Sequence, residues 1–434
     1  MKRVNHINRI SRFSVVVYWL IIIALLGLFF TNDFGLVDIH KTAIITAVGI
    51  DYEDDEVKVT AQIALPKPSQ SGDSIEYTEV QGSGVTAADA LNEINAKTGY
   101  YPKLLFCKLF LVGEGCQSQN LFRILGCLYR KNFSELTALV AMCKGNAADM
   151  LKMPTSLEAD ETASAIQRVL TDELKKSANV STANLKTLAL GNFSQSGACY
   201  MPYIEANKAG TSQTGGDGDN VGGESAEGGQ SGGQSGGSSE GAQGGGSSGG
   251  SGGGSSGQGG QGGDEGKVEF TARKTAIFSK GEFKGVMDEQ QSFALDLLKN
   301  EIRLAVVPCD ADGKHYTLGL KNAGGDMELK VNNGVPELTL SFKAKAQIQG
   351  AAVVVKPNET VNDDVVEKPV LEAAAQTIRE RMEGLVQTCV EQDCDVLGVT
   401  DLLHKNNFKY FEAFKGDVLQ RMKVNYKIDI KSLN

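Results

Sequence analysis

Asp393, Asp395, Asp401 and His404 fall within twelve residues near the end of the chain and form its tightest grouping of metal-type donors. Carboxylates and an imidazole can ligate a cation, and Asp401 and His404, three apart on an expected helix, share a face. The same types at the same spacing serve a plainer purpose. Asp393 and Asp395 bracket a turn, where Asx side chains bond their own backbone, and Asp401 stands where a carboxylate answers a helix N-terminus. The plainer reading is the stronger, so no metal ligand is assigned. A second acidic run, Asp51 to Glu56, has the wrong spacing for an EF-hand loop and reads as a solvated hairpin tip.

Other chemistry is sparse. His6, His40, His315 and His404 are far apart in sequence. There is no nucleophile elbow between a strand and a helix, no paired-histidine zinc motif, no Walker loop and no dinucleotide-binding glycine run after a strand. Cys107, Cys116, Cys127, Cys143, Cys199, Cys309, Cys389 and Cys394 show no Cys-x-x-Cys spacing and mostly lie in apolar periodic segments. They read as small buried hydrophobes, with one or two disulfides in an oxidising compartment as the alternative. No catalytic residue, no cofactor-binding residue and no cofactor is assigned. A net charge of −10, without a basic stripe beyond the first dozen residues, excludes nucleic acid as the expected partner.

The elements that would carry any site begin with an anchor. Phe13 to Phe30 is an uncharged apolar run of eighteen residues, long enough to cross a hydrocarbon core of about 30 Å. Trp19 and Tyr18 are its partly polar members. Lys2, Arg3, Arg9 and Arg12 precede it while Asp33 and Asp38 follow, which puts residues 1–12 in the cytoplasm and the rest outside. The competing reading is a cleaved signal peptide. Against it, the run exceeds a signal core, and Phe29 to Asn32 offers no small-residue cleavage site.

Residues 210–266 are almost wholly Gly, Ser, Gln and acidic, a composition that cannot bury enough apolar surface to order itself. They are expected to form a disordered linker between an N-terminal domain, 37–209, and a C-terminal domain, 267–434. In the first, Ala43 to Ile50 is a continuous apolar strand paired with the alternating strand from Val57 to Leu65. Ala87, Leu91 and Ile94 mark a helix capped by Thr86, Leu104 to Val112 a buried strand, Leu121 to Leu128 an amphipathic helix, Leu139 to Cys143 a strand and Ala147 to Leu151 a short helix. In the second, Asn333-Gly334 signals a hairpin turn, Leu371 to Cys389 a long amphipathic helix after Pro369, and Asp401 to Phe411 a further helix. The expected fold class is α+β: a transmembrane helix, then a multi-domain mixed α/β ectodomain with antiparallel-rich sheets.

Several of these blocks carry a resemblance. Gly35-Leu-Val-Asp38, the strand ending Gly49-Ile-Asp51 and the strand ending at Pro66 resemble the start of the mature C subunit of spore germinant receptors, the Ger(x)C family. Lys108 to Glu114, the helix ending Tyr129-Arg130, the segment from Ala138 through Lys144-Gly145 to Leu151, and Gly197 to Ile204 are similar to successive family elements. After the Gly-rich tract, Thr275 to Phe278, Phe283 to Glu289, Gln392 to Gly398 and Met422 to Ile430 continue the order. In that family a Cys carries a lipid anchor. Leu36 occupies its position here and Val37 that of the neighbouring Trp, so the resemblance implies anchoring by the apolar run, with Phe13, Trp19 and Phe30 as membrane-anchor residues. It further implies a non-enzymatic subunit needed for receptor assembly and signalling, a single-pass location in the spore inner membrane with most of the chain outside the cytoplasm, and multi-spanning A-type and B-type partners. The alternative is a membrane-anchored cell-envelope enzyme or ligand-binding module, with peptidoglycan as its partner.

Overall fold

The computed structural model describes residues 15–27, 42–69, 72–130, 134–155, 162–171, 180–208, 267–299, 302–351 and 365–433. Phe13, Phe30, Leu36, the tail 1–12 and the linker 210–266 lie outside them. Residues 15–27 form a helix, α1, whose side chains are almost all exposed, Trp19 among them. Among the described residues no helix is long and apolar enough to cross a membrane.

In chain order the first half comprises β1 (Thr42–Glu53), β2 (Glu56–Ser69), β3 (Gly72–Gly84), α2 (Ala87–Thr98), β4 (Tyr101–Lys103), β5 (Leu109–Gly113), α3 (Leu121–Leu125), β6 (Leu139–Cys143), α4 (Ala147–Lys152), α5 (Thr162–Leu170), α6 (Leu185–Asn192) and β7 (Ala198–Lys208). Then follow β8 (Val268–Ser279), β9 (Glu282–Met287), α7 (Glu289–Lys299), β10 (Ile302–Ala311), β11 (Lys314–Asn332), β12 (Val335–Ala351), α8 (Lys368–Glu391), α9 (Val399–Asn406), α10 (Phe408–Phe414), α11 (Val418–Arg421) and β13 (Lys423–Ser432).

The first sheet runs β3-β2-β1-β5-β6-β7-β8-β9, with β4 also paired to β1. Its centre is parallel, β1 to β5 to β6 to β7, and its flanks are antiparallel. Parallel strands buried on both faces read as continuous apolar runs, which is why Leu109 to Gly113 and Leu139 to Cys143 show no alternation. One face packs on α2, α3 and α6 around Phe110, Ile94, Leu125 and Leu188, the other on α4 and α5 around Leu109, Leu111, Met150 and Ile166. The expectation of antiparallel-rich sheets is thus met at the edges and not in this centre. The buried strand expected from Leu104 to Val112 begins at Leu109, because residues 104–107 form a tight turn in which Cys107 N donates to Leu104 O.

β7 and β8 pair antiparallel from Ala198↔Ser279 to Lys208↔Val268. The Gly-rich tract therefore joins neighbouring strands of one sheet, and β8 and β9, which follow it in sequence, complete the first sheet. The break in composition and the break between sheets do not coincide.

The second sheet, β10-β11-β12-β13, is antiparallel except for the parallel pairing of β12 with β13. One face is covered by α7 and α8, with Ile378, Met382 and Leu385 of α8 buried against Leu318, Leu340 and Phe342 in one core cluster. Among the described residues, tight hairpins turn on residue pairs with positive φ at Asp54-Asp55, Lys280-Gly281, Asp312-Gly313 and Asn333-Gly334. Two-residue loops of this kind match the right-handed twist of the strands they join. The hairpin tip expected at Asp51 to Glu56 is only Asp54-Asp55; Asp51 lies inside β1 and is buried.

Candidate functional site

Ligands of open α/β sheets sit beyond the carboxyl ends of the parallel strands, so that rim is the first place to look for chemistry. Asp51 near the end of β1, Glu114 just past β5, Gly145 and Asn146 past β6, and Tyr203 on β7 meet there. α4 starts at Ala147 without a capping bond from the Asn146 side chain. Asp51 supplies the missing acceptors across the sheet: Oδ1 accepts from Ala147 N at 2.7 Å and Oδ2 from Ala148 N at 3.0 Å. Glu114 accepts from Tyr203 Oη at 2.7 Å and from Gly145 N at 2.9 Å, and Glu53 accepts from Asn146 Nδ2 and Lys58 Nζ, each at 2.7 Å. These carboxylates close backbone and side-chain donors, an arrangement that holds strand ends and helix starts in register.

Burial pushes the Asp51 carboxyl above the ordinary carboxylate range, against the pull of the two N–H groups, and Glu53 and Asp149 add to the rise. A carboxyl that binds its proton more tightly folded than unfolded contributes stability below about pH 4, and that contribution is lost as pH rises through the folded pKa. The unfolding free energy of the parent chain should therefore fall over the window above pH ~4 relative to that of Asp51→Asn, which cannot titrate there. Urea unfolding of both chains across that window tests this, and parallel pH profiles would contradict it.

The second grouping is the seam between the sheets. Asp395 is buried in the turn between α8 and α9, where Oδ1 accepts from Val399 N at 2.8 Å and Oδ2 from Thr400 N at 2.7 Å. Burial raises this carboxyl too, opposed by those bonds and by the Lys299 ammonium. Asp401, in the first turn of α9, accepts from Gln195 N at 2.7 Å, a bond from the loop between α6 and β7. Lys299, at the end of α7, donates to Leu397 O at 2.7 Å, and the Cys394 thiol points at Phe278 O of β8 at 3.4 Å. A cavity of about 620 Å³ opens beside these groups, lined by Thr187, Ser194, Ser196, Tyr200, Lys299 and Asp401 among others.

The four sequence candidates are thus divided among separate tasks. Asp395 caps α9, Asp401 ties α9 to the first sheet's loop, and Asp393 accepts from Gln420 Nε2 at 3.0 Å. His404 packs edge-on against Phe411 and Phe408, at 4.7 and 5.3 Å between ring centres. The helix expected from Asp401 to Phe411 is two helices, with Asn407 between them, so His404 turns toward the aromatic face of α10. Among the described residues no cluster of three or more His, Cys, Asp or Glu side chains could hold a metal ion.

All eight cysteines are free thiols, and seven are buried. Burial pushes Cys107, Cys116, Cys199 and Cys394 up to about 12 and Cys127 to about 11. Thiols held so far from ionisation are poor nucleophiles at neutral pH. Sequence reasoning missed the role of Asp51, whose partners lie 96 and 97 positions away, a distance at which no local signal survives.

Two family models match the chain. Residues 36–206 match "Spore germination protein N-terminal domain", and residues 273–433 match "Spore germination B3/ GerAC like, C-terminal". Among solved structures, the crystal structure of the GerBC protein aligns with 92% of this chain and 100% of its own, at 15% identity and a TM-score of 0.48. No curated protein matches the sequence.

Proposed function

Because the chain belongs to the Ger(x)C family of spore germination proteins, we propose that it is a non-enzymatic, membrane-anchored subunit of a nutrient germinant receptor. The observation that carries this reading is the pair of family matches, which occur in family order and span the folded chain on both sides of the Gly-rich tract. Its work is contact rather than reaction. The acids on the sheet rim and at the seam are occupied in holding helices, and the thiols are buried, which supports a scaffold whose output is differential affinity for the resting and triggered states of its partners. Those partners are a multi-spanning A-type and a multi-spanning B-type subunit in the spore inner membrane.

The apolar run from Phe13 to Phe30 supports a single-pass anchor. Its described portion, α1, exposes Trp19, Leu20, Ile23 and Leu25 and buries none of them against the rest of the protein. An exposed apolar helix in water is costly, and lipid removes that cost. With Leu36 where lipidation would need Cys, this helix is the anchor the sequence offers.

Affinity purification of the tagged chain from detergent-solubilised inner membranes of dormant spores tests the assignment. Two multi-spanning proteins are expected to co-purify with it. Recovery of the chain with the cell-wall fraction, and without membrane partners, would contradict the reading.

A further inference from the structure

The first sheet carries an exposed apolar cluster at the end where β1 begins. β4 pairs in parallel with the opening of β1, Thr42↔Tyr101, Ala43↔Pro102 and Ile44↔Lys103. The turn that follows is clamped by buried Leu104 and Cys107 and lifts Leu105 and Phe106 at its apex. Ile44 is 43% exposed, Tyr101 48% and Phe106 53%, and Tyr100 and Leu105 are exposed to a similar degree. A turn pinned into the core at both flanks that still presents Leu and Phe to solvent spends apolar surface where a polar tip would serve.

Two observations say what covers it. The first is charge: residues 98–108 contain Lys103 and Lys108 and no acidic residue, in a chain of net charge −10. Tyrosine, phenylalanine and leucine beside lysine is the composition of a segment lying at the boundary between lipid headgroups and acyl chains. The second is connectivity. Residues 28–41 join α1 to Thr42, and these fourteen residues span at most about 50 Å fully extended. The first residue of β1, Thr42, pairs with Tyr101, so the chain coming from α1 enters the first sheet at the cluster itself.

We propose that the face formed by Tyr100, Tyr101, Leu105 and Phe106 seats on the outer surface of the bilayer that holds α1, with Lys103 and Lys108 at anionic headgroups. The inference rests on the anchor reading above and adds a second contact that fixes the orientation of the folded part over the membrane. A helix alone would leave that part free to swing; a second contact would hold the first sheet with the start of β1 toward the lipid.

Trp19 is the only tryptophan of the chain, which makes depth measurement direct. The full chain is reconstituted into phosphatidylcholine–phosphatidylglycerol vesicles whose acyl chains carry bromine either near the headgroup or near the terminal methyl. The parent reports from Trp19. The double variants Trp19→Phe/Phe106→Trp and Trp19→Phe/Phe408→Trp report from the cluster and from an exposed aromatic of the C-terminal part. All three substitutions exchange one exposed aromatic for another, so folding is not at stake.

The proposal expects bromine near the headgroup to quench the reporter at position 106 by about half, while the reporter at 408 is unchanged and Trp19 is quenched by bromine within the acyl region. Quenching of Trp19 without quenching at 106 would overturn the proposal and leave the anchor standing. Equal quenching at 106 and 408 would mean general adhesion and would also overturn it. No quenching of Trp19 would remove the anchor reading, and this inference with it.

Discussion

Gly113→Ala should destabilise the chain by about 2–4 kcal/mol, read as a lowered urea midpoint of the full chain. The cause is space. Gly113 has φ −71° and ψ 160°, extended backbone open to any residue, so no conformational penalty applies. A methyl added there would overlap Asp51 Oδ1, with Asp51 Cγ at 3.1 Å and Ala147 N at 3.2 Å. Gly113 ends β5, whose preceding residues are hydrogen-bonded to β1 and β6, so the strand cannot withdraw. The Asp51 carboxylate must give way, and the two N–H bonds it accepts from α4 go with it. An unchanged midpoint would show that this rim tolerates displacement, and the account of Asp51 as the cap of α4 would be wrong.

Asp395→Ala is expected to cost a comparable ~2–4 kcal/mol. α9 is preceded by Gly398, which has no side chain to cap it and sits at φ 74°. Asp395 therefore closes the N–H groups of Val399 and Thr400, both in buried residues. Without the carboxylate these donors lose their acceptor where water is scarce, and Lys299 loses a neighbouring negative charge. Asp395→Asn keeps one acceptor oxygen and should lose roughly half as much. The lesion also reaches the seam, because the next-door Cys394 contacts Phe278 of the first sheet and Asp401 holds Gln195. Limited proteolysis should accordingly cut the segment 393–407 faster in the alanine variant. Equal stability of the parent, asparagine and alanine chains would contradict the capping role.

The parts of this fold readable in the sequence are those whose signals are local. Thr86 and Asp89 form the capping box of α2, Pro369 opens α8, and Asn333-Gly334 turns β11 into β12. Asp312-Gly313 is as clear a turn signal, yet the length of β11 is not legible, because Lys314 to Asn332 is interrupted by small residues and a register shift near Gly324. The parallel centre of the first sheet was not legible, since a continuous apolar run does not say which strand will be its neighbour. Composition pointed to a division at the Gly-rich tract, yet strand pairing carries the sheet past it to β9. Compositional breaks report where ordering is unfavourable, and hydrogen-bond ladders ignore them when the flanking strands are neighbours.

The candidate site was legible in its residue types and not in its geometry. Asp395 and Asp401 were expected to answer turn and helix backbone, and Asp395 does so through two bonds; that Asp401 would bind a backbone N–H 206 positions away is a fact of the fold. Asp51 looked like part of a solvated tip, and the register of β1 with β2, Asp51↔Lys58, puts it inside the strand.

Release of dipicolinic acid from spores lacking this chain, followed over a panel of nutrients, tests the central claim most directly. The receptor-subunit account predicts selective loss of the response to one nutrient class, regained when the gene is restored, with the same spores still viable after lysozyme permeabilisation. Unchanged release under every nutrient would contradict it.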